Sequence, residues 1–165
     1  MIACQVKEIK QFMNTLLNSE AFDTFRLEEA RITTFNTYEI DGHVVPEFYD
    51  GLEDRPETLP EFTSWHEIRP IFLQLIKGKR TPVSFQFTLH ASKDYTNKLI
   101  TQHEIPVSPD AVRCLLVNIR FEHGALKLIT GTAFTTFIPD KTLEKLWDTT
   151  FKKSLASLHI DFEEL

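Results

Sequence analysis

Apolar residues recur at every second position in two stretches of this 165-residue sequence, at 82–90 and at 113–122. Side chains of a β-strand point alternately to its two faces, so each stretch predicts a strand with one buried and one polar face. The apolar members are Val83, Phe85, Phe87 and Leu89 in the first stretch and Leu115, Val117, Ile119 and Phe121 in the second. His123 and Gly124 then predict a tight turn into a further strand region, which Gly131 is expected to divide in two.

The first part of the chain carries a similar signal. Residues 1–6 can form a short strand, and residues 25–40 are rich in the β-branched and aromatic types that strands favour. Asp41 and Gly42 tolerate the positive φ of a tight hairpin turn, after which residues 43–45 are expected to return as a strand.

Helical spacing of apolar residues separates these strands. Residues 7–18 and residues 140–158 each carry an apolar stripe, which predicts two amphipathic helices. Ser92 can cap a third helix that runs to about residue 102. The acidic residues 160–165 at the end of the chain are expected to fray.

A further helix is predicted before the strand at 82–90. Ser64 and Glu67 have the spacing of a capping box, and Gly78 is typical of a residue that follows a helix end. Pro70 interrupts this segment, because proline has no N–H to donate within a helix. The sequence therefore predicts either a kink at Pro70 or a helix that starts at Arg69.

Together these patterns predict an α+β fold, with a mainly antiparallel sheet faced by amphipathic helices. A chain of this length can bury the core of one domain, so we expect a single domain over residues 1–165. Both halves of the chain have the order βαβββ, which indicates an internal repeat. The predicted parts are repeat 1 at about 1–45, an acidic loop and helix at about 46–80, repeat 2 at about 82–138, and a C-terminal helix at about 140–158.

The negative charge of the chain is concentrated in one segment. Residues 46–61 contain six carboxylates and one arginine, which gives −5 of the total net charge of −6. The segment is also rich in proline, so it predicts a solvated, mobile loop rather than part of the core. It lacks the residue register of a calcium-binding loop. It could dock on a basic partner or on the chain's own basic residues.

The order βαβββ, occurring twice, resembles one domain of the processivity clamps that encircle DNA. Residues 121–137 look like the hairpin of such a repeat. Clamp chains join two or three such domains into a ring, whereas this chain has the length of one. In that family the repeat helices line the DNA channel, which implies a candidate nucleic-acid face made of Lys7, Lys10, Lys93 and Lys98. The resemblance requires these four side chains to share one surface, and ordinary solvated helix faces remain the alternative.

The whole sequence also resembles a small uncharacterised family from Firmicutes. The segment 69–82 and the Trp147-Asp148 pair in the last predicted helix carry this likeness. The resemblance implies a bacterial cytosolic protein and implies no activity.

The strongest local candidate for binding is a cluster of basic residues near the end of the predicted second helix. Lys77, Lys79 and Arg80, with Arg69 one to two turns upstream, could hold a phosphate or an acidic peptide. The spacing is not that of a P-loop. Alternatively, these cations only complement the carbonyl groups at a helix C-terminus.

No catalytic, metal or cofactor motif occurs in the sequence. The six histidines are scattered, and Cys4 and Cys114 are far apart and outside any C-x-x-C pair. No apolar run has the length of a membrane span and the first residues lack an apolar signal core, which predicts a cytoplasmic protein. The predicted function is a non-enzymatic interaction module that binds protein or, secondarily, nucleic acid. The alternative is an enzyme or small-ligand binder that uses the basic cluster as an anion clamp, near His66 or His90.

Overall fold

A computed structural model describes residues 1–165 as eight β-strands and four α-helices. Two short 3-10 segments, at Pro46–Tyr49 and Pro109–Ala111, complete the regular structure. In chain order the elements are β1 Ala3–Val6, α1 Ile9–Asn18, β2 Phe25–Thr33, β3 Thr37–Asp41, β4 Thr63–Ser64, α2 Trp65–Ile76, β5 Ser84–Ala91, α3 Lys93–Gln102, β6 Val112–Glu122, β7 Ala125–Phe134, α4 Thr142–Ser157 and β8 Phe162–Glu164.

All strand pairs are antiparallel and belong to one sheet, with the order β3-β2-β5-β6-β7-β1-β8 and with β4 paired to β2. The prediction of an α+β fold with an antiparallel sheet is therefore confirmed. The end of the chain does not fray as expected, because β8 pairs with β1 at the sheet edge. Lys152 of α4 also forms an ion pair with Glu164 at 3.0 Å.

The sheet has one buried face and one polar face. Three facing pairs of β5 and β6 form the centre of the buried face: Phe85 with Phe121, Phe87 with Ile119, and Leu89 with Val117. They belong to a single cluster of 31 buried residues that includes residues from all four helices. Across the opposite face runs a polar row from β3 to β8, made of Glu39, Arg31, Gln86, Arg120, Lys127, Gln5 and Glu163. The core therefore lies between the helices and one face of the sheet.

Most element positions agree with the sequence patterns. Ser92 caps α3 by accepting a hydrogen bond from the Tyr95 amide. His123 and Gly124 both have positive φ and connect β6 to β7 by the predicted turn.

Gly131 does not divide the last strand region, because β7 continues through it. Ser64 precedes α2 without a side-chain capping bond, and the helix begins at Trp65 with Pro70 inside it.

The first hairpin differs from its prediction. Its turn lies at residues 34–36, and Asp41 is the last residue of β3 rather than part of the turn. Glycine is required at position 42 for a different reason, because the backbone of β2 lies too close to leave room for a side chain. A Cβ atom at this position would lie 1.9 Å from the carbonyl oxygen of Leu27. Next to this contact β2 has an irregular register between Leu27 and Glu29, which leaves Glu28 as an extra residue.

The strand pairing does not confirm two equivalent βαβββ repeats. In the second half, β5 and β6 are neighbours, whereas β1 and β2 in the first half are separated by three other strands. The two halves therefore have similar element order and different pairing. The acidic segment 46–61 is largely exposed. Its base is fixed by a bridge between His43 and Phe62 and by a hydrogen bond from the Val44 amide to Glu61.

No helix combines the length and the apolar composition that crossing a bilayer requires.

Candidate functional site

A groove with a basic rim lies where β5 begins and β6 ends. It has a volume of about 610 Å³ and is bounded by α1 and by the connection from α2 to β5. Its apolar residues are Ile9, Met13, Ile76, Pro82, Phe85 and Phe121. Phe85 and Phe121 belong to the buried core, so the groove opens directly onto the end of that core.

Four cations surround this groove. Lys77, Lys79 and Arg80 come from the connection after α2, and Lys10 comes from α1. All four are exposed, and none of their side chains makes an ion pair or a hydrogen bond within the chain. The structure thus brings together three residues of the predicted basic cluster and one lysine of the predicted nucleic-acid face.

The local sequence explains why the cations project. Helix α2 ends at Ile76, and Lys77 continues in an extended conformation while its amide still donates to the Leu73 carbonyl. Gly78 follows with a φ of +150°, which a residue with a side chain rarely adopts. The chain therefore leaves the helix abruptly and presents Lys79 and Arg80 to solvent.

Arg69 is not part of this groove, contrary to the sequence prediction. Its guanidinium binds both carboxylate oxygens of Asp23, at 2.8 and 3.3 Å, and donates to the Leu17 carbonyl at 3.1 Å. The hydrogen bond to Asp23 raises the pKa of Arg69. Burial alone would raise the pKa of Asp23, but hydrogen bonds from Arg69 and His66 outweigh it and lower that pKa. Arg69 therefore joins α2 to the segment between α1 and β2.

The structure does not bring the four lysines implied by the clamp resemblance together in one cluster. Lys10 lines the groove beside Phe121, near the end of β6. The Lys93 ammonium donates to the carbonyl of Val112, at the start of β6. About 30 Å of strand separates these two positions, given the rise per residue of a β-strand. Lys10 and Lys93 thus lie at opposite ends of β6, and Lys7 and Lys98 are exposed.

A second cleft, of about 440 Å³, lies at the opposite end of β5 and β6. Strand residues Arg26, His90 and Cys114 line it, together with Lys93 of α3 and Arg113. His90 is buried and its Nε2 contacts the carboxylate of Glu28. Burial, more than the nearby Glu28 charge, raises the pKa of the Cys114 thiol to about 11. The thiol is therefore protonated at neutral pH and is not an activated nucleophile.

Sequence reasoning missed this second cleft. Its residues come from three strands and a helix that are far apart in the chain, and no short motif connects them. The only local signal is the polar side of each strand pattern, on which His90 lies.

The acidic segment 46–61 does not occupy the basic groove in the structure. Its last residues, Pro60 and Glu61, border the second cleft instead.

These features define an α+β domain with a one-sided core, an exposed basic groove and a separate polar cleft. The chain matches the model of a family of unknown function (DUF5721) over residues 15–163, and it belongs to that family. No curated protein and no solved structure matches the chain at a significant level. The expected resemblance to an uncharacterised family is confirmed, and the resemblance to DNA clamps is not.

Proposed function

We propose that this protein is a non-enzymatic interaction module whose basic groove binds an acidic, amphipathic segment of a partner protein. The observation that carries the proposal is the convergence of four unpaired cations on an apolar floor. Lys10 and the Lys77–Arg80 segment supply the rim, and Met13 and Phe85 are part of the floor.

The combination of rim and floor favours a peptide over a nucleic acid. Exposed ion pairs contribute little each, typically below about 1 kcal/mol, so the apolar floor must supply much of the affinity. A phosphate backbone has no apolar groups to place there, whereas an acidic peptide with aromatic or aliphatic residues does.

We place this interaction in the cytoplasm. Both cysteines are free and buried, and such thiols remain reduced in that compartment.

The test measures fluorescence anisotropy of two labelled probes at physiological salt. One probe is a synthetic peptide with the sequence of residues 46–61, which combines strong negative charge with Phe48, Tyr49 and Leu52. The other is a short DNA duplex. We expect the peptide to bind and the duplex to bind more weakly. Binding of the duplex alone, or of neither probe, would refute the proposal.

Three variants locate the binding. Replacing Lys77, Lys79 and Arg80 together by Ala should weaken peptide binding by a factor of about ten to a hundred, from three charges worth roughly 0.5–1 kcal/mol each. The matched control replaces Lys98, Lys145 and Lys153 by Ala, three exposed lysines without ion pairs, and should leave the affinity unchanged. Met13→Gln removes apolar floor without changing charge. Because the floor supplies much of the affinity, this variant should also weaken the peptide complex.

A further inference from the structure

Arg26 occupies an unusual position in the second cleft. It lies on β2 directly opposite His90 of β5 and Ser64 of β4, on the polar face of the sheet. The residue is partly buried, its side chain makes no hydrogen bond or ion pair with any residue of the chain, and its guanidinium nitrogens remain accessible to solvent. Arginine has five N–H donors and no acceptor, so an unpaired guanidinium can bind an anion through several hydrogen bonds. Because Arg26 lines the cleft and none of its donors is used within the chain, its guanidinium is free to bind a ligand there.

The nearest acidic residue on the same strand is already engaged. The carboxylate of Glu28 contacts the buried His90, and the irregular register of β2 at this residue directs it there. Glu28 is thus held by the imidazole and does not pair with Arg26.

A second arginine without a partner lines the same cleft. Arg113 is the second residue of β6, is exposed, and has no carboxylate within ion-pair distance. Lys93 adds a third positive charge, which two bonds of 3.1 Å to the carbonyls of Pro109 and Val112 fix at this place. Two carboxylates also border the cleft, Glu61 and Asp94, but both are exposed, so water and salt screen their repulsion of an anion.

We propose that the cleft between Arg26 and Arg113 is a binding site for a small molecule with an oxyanion group, a phosphate or a carboxylate. Planar guanidinium groups bind both kinds of group through paired N–H donors. A volume of about 440 Å³ accommodates a metabolite of modest size. This site is independent of the proposed peptide groove, which lies at the other end of β5 and β6.

The test is isothermal titration of the full chain with inorganic phosphate and, separately, with malonate, at constant ionic strength. Saturable binding of phosphate, malonate or both supports the proposal. The probe with the higher affinity shows whether the site prefers a phosphate or a carboxylate group. Arg26→Gln and Arg113→Gln should each weaken binding by a factor of about ten or more, as expected for loss of a charged hydrogen-bond donor. Arg26→Lys keeps the charge and loses the paired donors, so it should restore only part of the affinity.

Lys153→Gln is the matched control, because it removes an exposed positive charge of α4 that lines neither the cleft nor the basic groove. Its affinity for both probes should equal that of the wild type. The proposal is overturned if neither probe binds saturably, or if binding survives both Arg26→Gln and Arg113→Gln. Equal loss in Lys153→Gln would also overturn it. Arg113 is exposed, so its variant keeps the test decisive even if Arg26→Gln fails to fold.

Discussion

Replacing Gly42 by Ala should be one of the most destabilising single-methyl changes in this protein. The new Cβ would lie 1.9 Å from the Leu27 carbonyl oxygen, 2.6 Å from its carbonyl carbon and 2.9 Å from the Glu28 carbonyl oxygen. All three atoms belong to the backbone of β2, so no side-chain rotation can relieve the contact. The strand itself must move.

The cost follows from the bonds at this position. The Gly42 amide donates to Glu28 and the Gly42 carbonyl accepts from the Thr63 amide, both at 2.8 Å. Moving the backbone far enough to admit a methyl group disrupts both, at about 1 kcal/mol each, and overpacking adds about 1–3 kcal/mol. We expect a loss of about 3–5 kcal/mol in the free energy of unfolding, a large part of the stability of a typical domain.

Urea denaturation followed by circular dichroism measures this loss as a lower midpoint with an unchanged m-value. Gly131→Ala is the control, because its Cβ would meet only the movable Leu116 side chain, at 3.0 Å and beyond. It should change stability by less than about 1 kcal/mol. If the Gly42→Ala protein is as stable as the Gly131→Ala protein, the backbone of β2 does not lie as close to Gly42 as described here.

Two further predictions concern charged and reactive groups. Asp23→Asn should cost about 1–3 kcal/mol, less than a fully buried pair, because Asp23 and Arg69 keep side-chain exposures of 15% and 17%. Since folding lowers the pKa of Asp23 below its usual 3.8, its stabilisation is present above that pH and is lost as the pH falls further. The acid side of the stability profile should therefore be flatter in the variant, and an identical acid slope would contradict this account. Cys114, with a pKa raised to about 11, should react with iodoacetamide at pH 8 only after unfolding, as followed by mass spectrometry. Rapid labelling of the native protein would disprove its burial.

The sequence predicts the central strands well because each has one buried and one polar face. In β5 and β6 apolar residues recur at every second position because these side chains lie on the buried face of the sheet. The first hairpin was placed wrongly because Asp41 and Gly42 have turn-forming residue types, while Gly42 is required by the proximity of β2. Such a requirement depends on tertiary contacts, and local propensity does not contain it.

The tail was misjudged for a related reason. Its acidic composition is typical of a solvated end. In the structure, however, the tail forms β8, which pairs with β1, and Glu164 forms an ion pair with Lys152. Both contributions come from parts of the chain that lie far away in sequence.

Candidate site residues were predictable only where they are close in sequence. Lys77, Lys79 and Arg80 form a visible cluster, whereas the contribution of Lys10 depends on how α1 lies beside the end of α2. Arg69 seemed part of the cluster because helical spacing alone does not show that Asp23 is within its reach. The Arg26 cleft was invisible for the same reason, since β2 and β5 pair across a long insertion.

The separation of the acidic segment from the basic groove explains how a chain of net charge −6 can present a positive site. The base of the acidic segment leads directly into α2, and the groove begins where α2 ends. A helix of 12 residues is about 18 Å long, roughly twice the Debye length of about 8 Å at physiological salt. The field of the acidic segment is therefore largely screened at the groove. Lys10, Lys77, Lys79 and Arg80 act on a ligand as a local positive cluster, whatever the sign of the total charge.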